Sequence, residues 1–423
     1  MSELKRGYKQ PEVGGIPKST LGQNLRAPIR NGYSPVCPTS PTGTWILSLS
    51  AVTENGFNED GVKPAPIGDA RVLDNLLLAG DIVVSRSNTP ERVGLAGIYR
   101  GRPKPCAYSD LLMRVRTSPA LKPEFLLVQL LSHRGRKFFA ESARGSSSSM
   151  VKIDRAILES FPLSLPGLPE QEAIAGVLGD VDALIGALDR LIAKKRDLKQ
   201  AAMQQLLTGQ TRLPGFDSGR GNRQTEVGVI PEAWVVSSLH DIATIVTGNT
   251  PPTADASNYG DEFLFVSPGD IADAKYVRNT EKKLSHKGFT MSRRLPRNSV
   301  LFVCIGSTIG KCALAQIEST SNQQINAILS SPSFSPEFLY YAVSLAAPRI
   351  RALASEQAVP IINKSQFGET AIAMPPLPEQ TAIASVLSDM DSELSALQRR
   401  RDKTHHLKQG MMQELLTGRT RLS

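Results

Sequence analysis

Apolar residues recur at alternating spacings of three and four in two long stretches of the chain, residues 165–213 and 374–423. This spacing is typical of one face of an amphipathic helix. Each stretch opens with Leu-Pro-Glu-Gln and closes with a glycine after Leu-Leu-Thr, Gly209 or Gly418, as helix ends favour. The pattern therefore predicts two long helices, each of about 38 residues and so roughly 57 Å in length.

The two stretches are copies of one another. They align without a gap at an offset of 209 residues, and 28 of the 49 aligned positions are identical. A repeat of this strength indicates a tandem duplication in which each half ends in the same helix. Two equal amphipathic helices can bury their apolar faces on each other, so we predict an antiparallel coiled coil with a pseudo-twofold axis. The alternative is that each helix packs only on its own preceding domain.

The predicted seam of this coiled coil follows the apolar spacing through both copies. In the first copy its residues are Ile174, Val181, Leu184, Leu188, Leu191 and Leu198. In the second copy they are Ile383, Val386, Met390, Leu397, Leu407 and Met411. The second seam is interrupted by polar residues between Gln398 and His406, a stretch that fits a solvated face, a partner surface or a DNA-facing segment.

Shorter patterns of mixed type precede each helix. Apolar runs such as Ile82–Ser85 and Val300–Ile305 predict buried strands, and Phe125–Leu131 and Phe338–Leu345 predict helices. We therefore predict an α/β (α+β) fold in four parts. These parts are a first mixed domain at residues 1–164, the first long helix at 165–213, a second mixed domain at 214–373 and the second long helix at 374–423.

Composition and charge narrow the class of protein. The chain has 423 residues, of which 40% are hydrophobic and 21% charged, as in ordinary globular proteins. It shows no apolar run of about 18 residues and its first residues do not resemble a signal peptide, so we expect a cytoplasmic protein. The net charge is +9, and residues 1–164 carry 22 basic against 14 acidic residues. A basic first third indicates a polyanionic partner, most simply nucleic acid.

No catalytic motif is recognisable in the sequence. The segment Gly306–Lys311 resembles a phosphate-binding loop, but it has three residues between its glycines and Cys312 where a hydroxyl would bind magnesium. Dinucleotide, methyltransferase, metalloprotease and serine-hydrolase motifs are missing. Four scattered cysteines and five histidines show no ligand spacing. We expect a binding protein without a catalytic site, metal or cofactor of its own.

The duplicated helix, from Leu-Pro-Glu-Gln to Leu-Leu-Thr-Gly, resembles the specificity (S) subunit of type I restriction-modification systems. Four segments of the second mixed domain and one of the first are similar to recurrent pieces of that family's target recognition domains. These segments are Gly248–Pro251, Ser267–Ile271, Gly306–Lys311, Asn322–Ile325 and Gly80–Arg86. The resemblance covers essentially the whole chain.

The resemblance implies a non-catalytic subunit whose two target recognition domains each read one part of a bipartite double-stranded DNA target. The paired helices would set the gap between the two parts. Catalysis would belong to partners: two copies of a methyltransferase (modification) subunit, which methylate adenine N6 with S-adenosylmethionine, and restriction/translocase subunits, which use ATP and Mg. Such a complex serves DNA methylation and host defence.

Two other functions stay open at this stage. A self-sufficient DNA methyltransferase or nuclease would bind S-adenosylmethionine or metal by itself, which titration of the isolated chain would reveal. A coiled-coil adaptor that joins proteins without DNA would not retain random duplexes, whereas a DNA-binding protein would retain them less as salt rises.

Candidate DNA contacts follow from residue type and position. Lys, Arg and hydroxyl groups contact phosphates, and Arg, Asn and Gln read base edges. In the first domain we select Arg86, Ser87, Asn88, Arg92, Arg102, Lys104, Arg144, Ser146 and Lys152. In the second we select Thr250, Tyr259, Lys282, Lys283, Arg293, Arg294, Ser307, Lys311, Gln323 and Gln324. Each is equally compatible with an ordinary surface role, and the two glutamines with satisfying a turn.

Overall fold

A computed structural model describes residues 16–54, 56–147, 150–217, 219, 221–272, 274–354 and 359–422. The described chain is a mixed α/β structure, as predicted, and it divides into two compact units. The first unit comprises residues 1–190 and 398–423, and the second comprises residues 191–397. Each unit therefore holds one mixed domain, the beginning of one long helix and the end of the other.

The first unit contains short strands and four short helices before its long helix begins. The strands are β1 (Lys18–Thr20), β2 (Leu25–Asn31), β3 (Trp45–Leu47), β4 (Val52–Thr53), β5 (Gly56–Phe57), β6 (Val62–Pro64), β7 (Ile82–Ser85), β8 (Ser87–Asn88), β9 (Ala96–Ile98), β10 (Cys106–Tyr108), β11 (Leu112–Thr117), β12 (Arg144–Ser147), β13 (Met150–Lys152) and β14 (Pro162–Ser164). The helices are α1 (Ala70–Leu73), α2 (Pro123–Leu131), α3 (His133–Ser142) and α4 (Arg155–Glu159).

The central sheet of the first unit is antiparallel, with the strand order β2-β11-β7-β9. All four residues of the inner strand β7 are buried, as expected for a β-branched run in the middle of a sheet. A second sheet has the order β10-β3-β6, and its β10–β3 pair is parallel. Smaller sheets join β12-β13-β8, β1-β14 and β4-β5.

The second unit follows a similar plan. Its strands are β15 (Asn222–Thr225), β16 (Gly228–Pro231), β17 (Val235–Ser238), β18 (Ile245–Thr247), β19 (Tyr259–Gly260), β20 (Phe263–Val266), β21 (Tyr276–Val277), β22 (Lys283–Leu284), β23 (Val300–Val303), β24 (Cys312–Ala315), β25 (Thr320–Ser321), β26 (Ile325–Ile328) and β27 (Ala371–Met374). Its shorter helices, numbered after the first long helix α5 (Leu168–Leu207), are α6 (Leu239–Ile242), α7 (His286–Met291), α8 (Pro336–Arg351) and α9 (Lys364–Gly368).

The main sheet of the second unit has the order β18-β26-β23-β24-β21, and a second sheet has the order β19-β22-β20-β25. Its inner strand β23 is fully buried, like β7 in the first unit. The chain turns into β7 through Gly80 (φ 94°) and into β23 through Asn298 (φ 66°), both left-handed. Glycine and asparagine are the residues that tolerate this conformation. The two mixed domains therefore share this part of their fold despite their divergent sequences.

The two long helices predicted from the repeat are present. They are α5 and α10 (Leu377–Thr417), of 40 and 41 residues. Gly209 and Gly418 follow them with φ values of 71° and 72°. This left-handed conformation satisfies the last carbonyl groups of a helix. The predicted helix ends are confirmed.

Segments of α5 and α10 pair antiparallel within each unit. In the first unit Asp182 bonds to Lys408 at 2.6 Å, and Asp189 lies 3.6 Å from Arg401. The residue number in α10 thus falls as that in α5 rises. In the second unit the corresponding pair is Lys199–Asp391, at 2.5 Å. In the repeat, Asp182 is equivalent to Asp391 and Lys199 to Lys408. Each unit therefore contains one ion pair between the same repeated Asp and Lys. The aspartate comes from α5 in the first unit and from α10 in the second.

In each unit an ion pair between residues that are identical in the two copies joins the start of one long helix to the segment that follows the other. In the first unit Arg421 donates two hydrogen bonds of 2.6 Å to Glu170. In the second unit the equivalent Arg212 donates bonds of 2.5 and 2.7 Å to Glu379, which also accepts one from Trp234. The repeated Glu of Leu-Pro-Glu-Gln therefore pairs with the repeated Arg of Thr-Arg-Leu in the other copy. Sequence reasoning assigned these glutamates only a favourable position at a helix N-terminus.

The glutamine of the same motif fastens each helix to its own mixed domain. Gln171 accepts a hydrogen bond from the backbone of Lys122 at 2.9 Å and donates to Pro166 and Ala120. Gln380 accepts from the backbone of Ser335 at 2.9 Å. Both glutamine side chains are buried. The start of each long helix is therefore bonded to the residue of its own mixed domain that precedes α2 or α8.

The predicted seam is half correct. Ile174, Leu188 and Ile383 are buried, and Val181, Met390, Leu397 and Met411 are half-buried. Five other predicted seam residues are exposed, which corrects the prediction at Leu184, Leu191, Leu198, Val386 and Leu407. The buried positions are instead Leu178, Ile185 and Ile192 in α5, and Leu387, Leu394 and Leu415 in α10.

The error has a specific cause. Adjacent apolar residues, such as Leu184 and Ile185, allow two seams that differ by one residue, and both have the spacing of a helix face. The repeat itself distinguishes them, because Leu184 corresponds to Glu393 whereas Ile185 corresponds to Leu394. At this pair of positions, the residue that stays apolar in both copies is the buried one.

The polar stretch of the second helix also takes part in the pairing. Arg401 is half-buried and lies near Asp189, and Thr404 is buried and donates to the backbone of Arg400 at 2.8 Å.

Each long helix also starts in the core of its own mixed domain, together with the end of the other helix. Ile174 and Leu178 share a core with Leu415, and Ile383 and Leu387 share one with Leu206. The coiled-coil prediction and its alternative therefore both describe part of the packing.

Candidate nucleic-acid interface

A small sheet contains five of the predicted contacts in the first unit, including Ser146 on β12. In the sheet β12-β13-β8, Lys152 lies opposite Arg144 on one side and Ser87 on the other, and Asn88 lies opposite Val151. Arg144 and Lys152 are exposed. Like charges directly opposite each other on a sheet destabilise it. A bound anion would offset this repulsion, so the pair is suited to a phosphate.

The same sheet corrects one candidate. Ser87 is buried, and its hydroxyl has no hydrogen-bond partner among the described residues. Its neighbour Asn88 is half-buried and accepts a hydrogen bond from the backbone of Thr89 at 3.0 Å. Because successive residues of a strand point to opposite faces, the run Arg86-Ser87-Asn88 cannot present all its side chains to one partner.

The remaining candidates of the first unit lie on other segments. Arg86 donates to the backbone of Asp110 at 3.4 Å, and Arg92 is exposed in the turn between β8 and β9. Arg102 and Lys104 are exposed in the connection from β9 to β10. The hydrogen bonds of the described residues do not join these residues to the Arg144–Lys152 pair.

In the second unit four candidates converge on the loop at residues 247–253. Thr250 donates a hydrogen bond of 2.6 Å to Gln323, and Tyr259 donates one of 3.1 Å to the carbonyl of Pro251. Arg293 donates through its guanidinium to the carbonyl of Thr247. Its backbone N–H donates to Asn249 at 2.8 Å. Asn249 is a polar residue of this cluster that the candidate set missed, although the motif that contains it was noted.

The loop approaches the 322–324 turn closely at Gly248. A Cβ atom at this position would lie 2.2 Å from the carbonyl oxygen of Asn322 and 2.3 Å from that of Ser321. The backbone N–H of Gly248 donates to Ile325 at 3.0 Å. Only glycine permits this approach, so Gly248 holds Thr250 beside Gln323.

Replacing Gly248 with alanine is therefore expected to displace the loop. Overpacking of this kind costs about 1–3 kcal/mol, and we expect a lower melting temperature together with weaker DNA binding. Gly269 is the matched control, because a Cβ atom there would meet nothing within 4 Å. Thermal melting and fluorescence anisotropy with labelled duplex would measure both effects. Equal behaviour of Gly248→Ala and Gly269→Ala would contradict the assignment.

A second loop, between β23 and β24, continues this cluster. Ser307 and Lys311 are exposed on it, and a Cβ atom at Gly306 would lie 3.9 Å from the amide nitrogen of Gln324. Gln324 accepts a hydrogen bond of 3.0 Å from Asn322. Thr250, Gln323, Gln324 and the 305–311 loop thus form one surface, which we call the second-unit polar surface.

The other basic candidates of the second unit have competing partners. Lys282 and Lys283 line a recess with Tyr259, but Asp261 and Glu281 line it as well. The guanidinium of Arg294 lies 5.1 Å from the ring centroid of Phe289, a distance typical of a cation–π contact. These positions therefore present less unopposed positive charge than Lys311 does.

Three ionisable groups near these surfaces have shifted pKa values. Hydrogen bonds from Lys287 and Ser257 lower the pKa of Asp255 to about 2, so this carboxylate is charged at neutral pH. Burial raises the pKa of the Cys304 and Cys312 thiols to about 12. Both thiols are therefore protonated at neutral pH, and a neutral thiol is a poor nucleophile and metal ligand.

The described residues contain no group of three or more His, Cys, Asp or Glu side chains that could hold a metal ion. They also contain no helix with the length and apolar character that a membrane crossing requires.

Comparisons with solved structures show the fold. A chain from a structure that describes complex assembly and conformational transition in a type I R-M system superposes with a TM-score of 0.55, at 17% identity and over 97% of this chain and 99% of that one. The type I restriction-modification S subunit from M. genitalium gives a TM-score of 0.58, at 15% identity and over 96% and 99% of the two chains.

Comparisons of sequence identify the relatives. A Methanocaldococcus jannaschii protein provisionally named the type I restriction enzyme MjaX specificity subunit is 26% identical over 99% of this chain and 97% of its own. The HindI specificity subunit of Haemophilus influenzae is 25% identical over 60% and 68% of the two chains. The profile described as "Type I restriction modification DNA specificity domain" matches residues 71–194 and 231–404, more than half of the chain. The chain therefore belongs to the type I restriction-modification DNA specificity family, whose members are the non-catalytic recognition subunits of these systems.

Proposed function

We propose that this chain reads a bipartite double-stranded DNA target, one part with each mixed domain, taken as residues 1–164 and 214–373. The observation that carries the proposal is the second-unit polar surface. There the Thr250 hydroxyl bonds to the Gln323 amide, the Gln324 amide lies beside Gly306 of the 305–311 loop, and Lys311 is exposed on that loop. These are the groups that contact phosphates and read base edges.

The first domain contributes through charge. Arg144 and Lys152 lie opposite each other and exposed on one sheet, and the domain carries most of the chain's net positive charge. This arrangement supports phosphate binding. The remaining candidates of both domains are proposed as further contacts, except Ser87, which is buried.

The proposed partners follow from the family and from the repeat. We propose that the chain assembles with methyltransferase and restriction subunits, and that it binds two copies of the methyltransferase subunit. Each unit is built around the same Glu–Arg and Gln junction at its helix ends, and a duplicated architecture is suited to two copies of one partner. S-adenosylmethionine would be bound by the methyltransferase subunits, and ATP and Mg by the restriction subunits.

Replacing Lys311 with methionine tests the second-unit polar surface. Loss of one phosphate contact is expected to weaken binding to every duplex by about 1 kcal/mol, and to reduce the slope of log affinity against log salt concentration by about 1. Lys364→Met, which removes an exposed lysine of α9, is the matched control. Fluorescence anisotropy of the assembled complex at several salt concentrations would measure the slope. An unchanged slope in Lys311→Met would place the phosphate contact elsewhere.

A further inference from the structure

A buried polar network links the second mixed domain to both long helices. Lys275, the residue that precedes β21, donates a hydrogen bond of 2.7 Å to Ser388 on α10. Tyr341 on α8 donates one of 2.5 Å to Asp391, and Asp391 also pairs with Lys199 on α5. All of these residues belong to the second unit. The network is therefore an internal feature of that unit.

Burial and ring contacts restrict the positions that the Lys275 and Tyr341 side chains can take. Tyr341 is fully buried, and the Lys275 ammonium lies 5.1 and 5.5 Å from the ring centroids of Tyr276 and Tyr341. Burial lowers the pKa of Lys275 and raises that of Tyr341. A half-buried ammonium and the hydroxyl of a buried tyrosine are costly to leave without partners. The mixed domain therefore cannot slide along α10 without breaking these bonds.

The network is the second place at which this domain is attached to α10. The first is the Gln380–Ser335 hydrogen bond at the start of the helix. Gln380 and Asp391 are eleven residues apart, so the two attachments are separated by about 16 Å along the helix axis. Together with the apolar core around Ile383 and Leu387, two polar attachments this far apart hold the domain in one orientation on the helix.

The first unit has the first attachment, but two positions of the second network are replaced there by residues without polar side chains. The residue that corresponds to Tyr341, counting from the shared Pro-Glu-Phe-Leu start of α2 and α8, is Val128. The residue that corresponds to Ser388 is Gly179, where a Cβ atom would meet nothing within 4 Å. The described part of this unit therefore leaves open space where the second unit has a hydrogen-bonded contact.

We infer that Lys275 and Tyr341 are positioning residues that hold the second recognition domain in one orientation on its helices, and so make target reading strict in the spacing between its two parts. This inference rests on the proposed function. One additional base pair moves a half-target by about 3.4 Å along the duplex. A second domain fixed in one orientation cannot follow that displacement, whereas one released from Ser388 and Asp391 of α10 can tilt toward it.

The test uses the full chain assembled with its methyltransferase subunits. The target is first defined by mapping methylated adenines, and methylation rates are then measured on duplexes with the natural gap and with gaps one base pair longer or shorter. Lys275→Met and Tyr341→Phe are expected to lower the ratio of natural-gap to altered-gap rates by about tenfold, the scale of effects from small misplacements. Lys275→Arg, which keeps the charge, should retain more of the ratio. Lys364→Met should leave it unchanged.

The outcomes separate positioning from simple stabilisation. A reduced ratio with nearly normal binding of the natural target supports the inference. An unchanged ratio, or an equal loss of activity on all duplexes that parallels a lower melting temperature, overturns it and leaves the proposed function intact. A wild-type complex that methylates without a two-part target would overturn the proposed function and this inference with it.

Discussion

Lysine in place of Ile185 is expected to separate the paired helix segments of the first unit. Ile185 is 5% exposed and lies between Asp182 and Asp189, whose partners on α10 are Lys408 and Arg401. A lysine there would lose the buried apolar contact and add a third cation beside two others. We expect a loss of about 4 kcal/mol of stability. Faster hydrogen–deuterium exchange in α5, measured by mass spectrometry, would report the separation.

The adjacent residue provides the control. Leu184 is 41% exposed, so Leu184→Lys should change stability by no more than about 0.5 kcal/mol. The two variants differ by one position and have the same new side chain. If Leu184→Lys were the more damaging, the seam would follow the register first predicted from the sequence, and the packing described here would be wrong.

Removal of the Glu379 carboxylate is expected to destabilise the second unit strongly. The Glu379 side chain is 1% exposed, and its partner Arg212 is 13% exposed. Glu379→Ala leaves a buried guanidinium without its counter-charge and Trp234 without its hydrogen-bond acceptor. Breaking a buried ion pair in this way costs about 3–5 kcal/mol. Trp234 and Trp45 are the two tryptophans of the chain, so in a Trp45→Phe background the unfolding of the second unit can be followed by fluorescence.

Two further Glu→Ala variants test whether burial of the ion pair is the reason for this loss of stability. In the first unit the equivalent pair is less buried, because the side chain of Arg421 is 50% exposed, so Glu170→Ala should cost less. Glu414 pairs with Arg419 on the surface, and Glu414→Ala should cost less than about 1 kcal/mol. If Glu379→Ala and Glu414→Ala lowered stability equally, burial of the ion pair would not explain why the Glu and Arg of the repeat are retained in both copies.

The helices show how far a sequence pattern extends. Their existence, their ends at Gly209 and Gly418 and their repeat were predictable, because capping residues and apolar spacing act over a few neighbouring residues. The seam register was not predicted correctly, because Leu184 and Ile185 fit a helix face equally well. Comparison of the two copies distinguishes them, so this information was present in the sequence but was not used.

The candidate contacts show a different limit. Residue type selected Thr250, Gln323 and Arg293 without indicating that segments 73 residues apart (Thr250 and Gln323) and 46 residues apart (Thr247 and Arg293) would meet. It also selected Ser87, which the pleat of a strand turns into the interior. Orientation within a strand, and the competing partners of Lys282, Lys283 and Arg294, depend on neighbours that are distant in the chain.

Local pattern and internal repetition were enough to predict two mixed domains and two long helices, and the repeated motif carried the resemblance to a DNA specificity family that the profile match then showed. The roles of Glu170, Glu379 and the two motif glutamines, and the Lys275–Tyr341 network, emerged only from the folded chain. The reason is physical. Capping and amphipathic spacing involve residues within a few turns of each other, whereas ion pairs such as Arg212–Glu379 join residues 167 positions apart, and no local property of either residue specifies its partner.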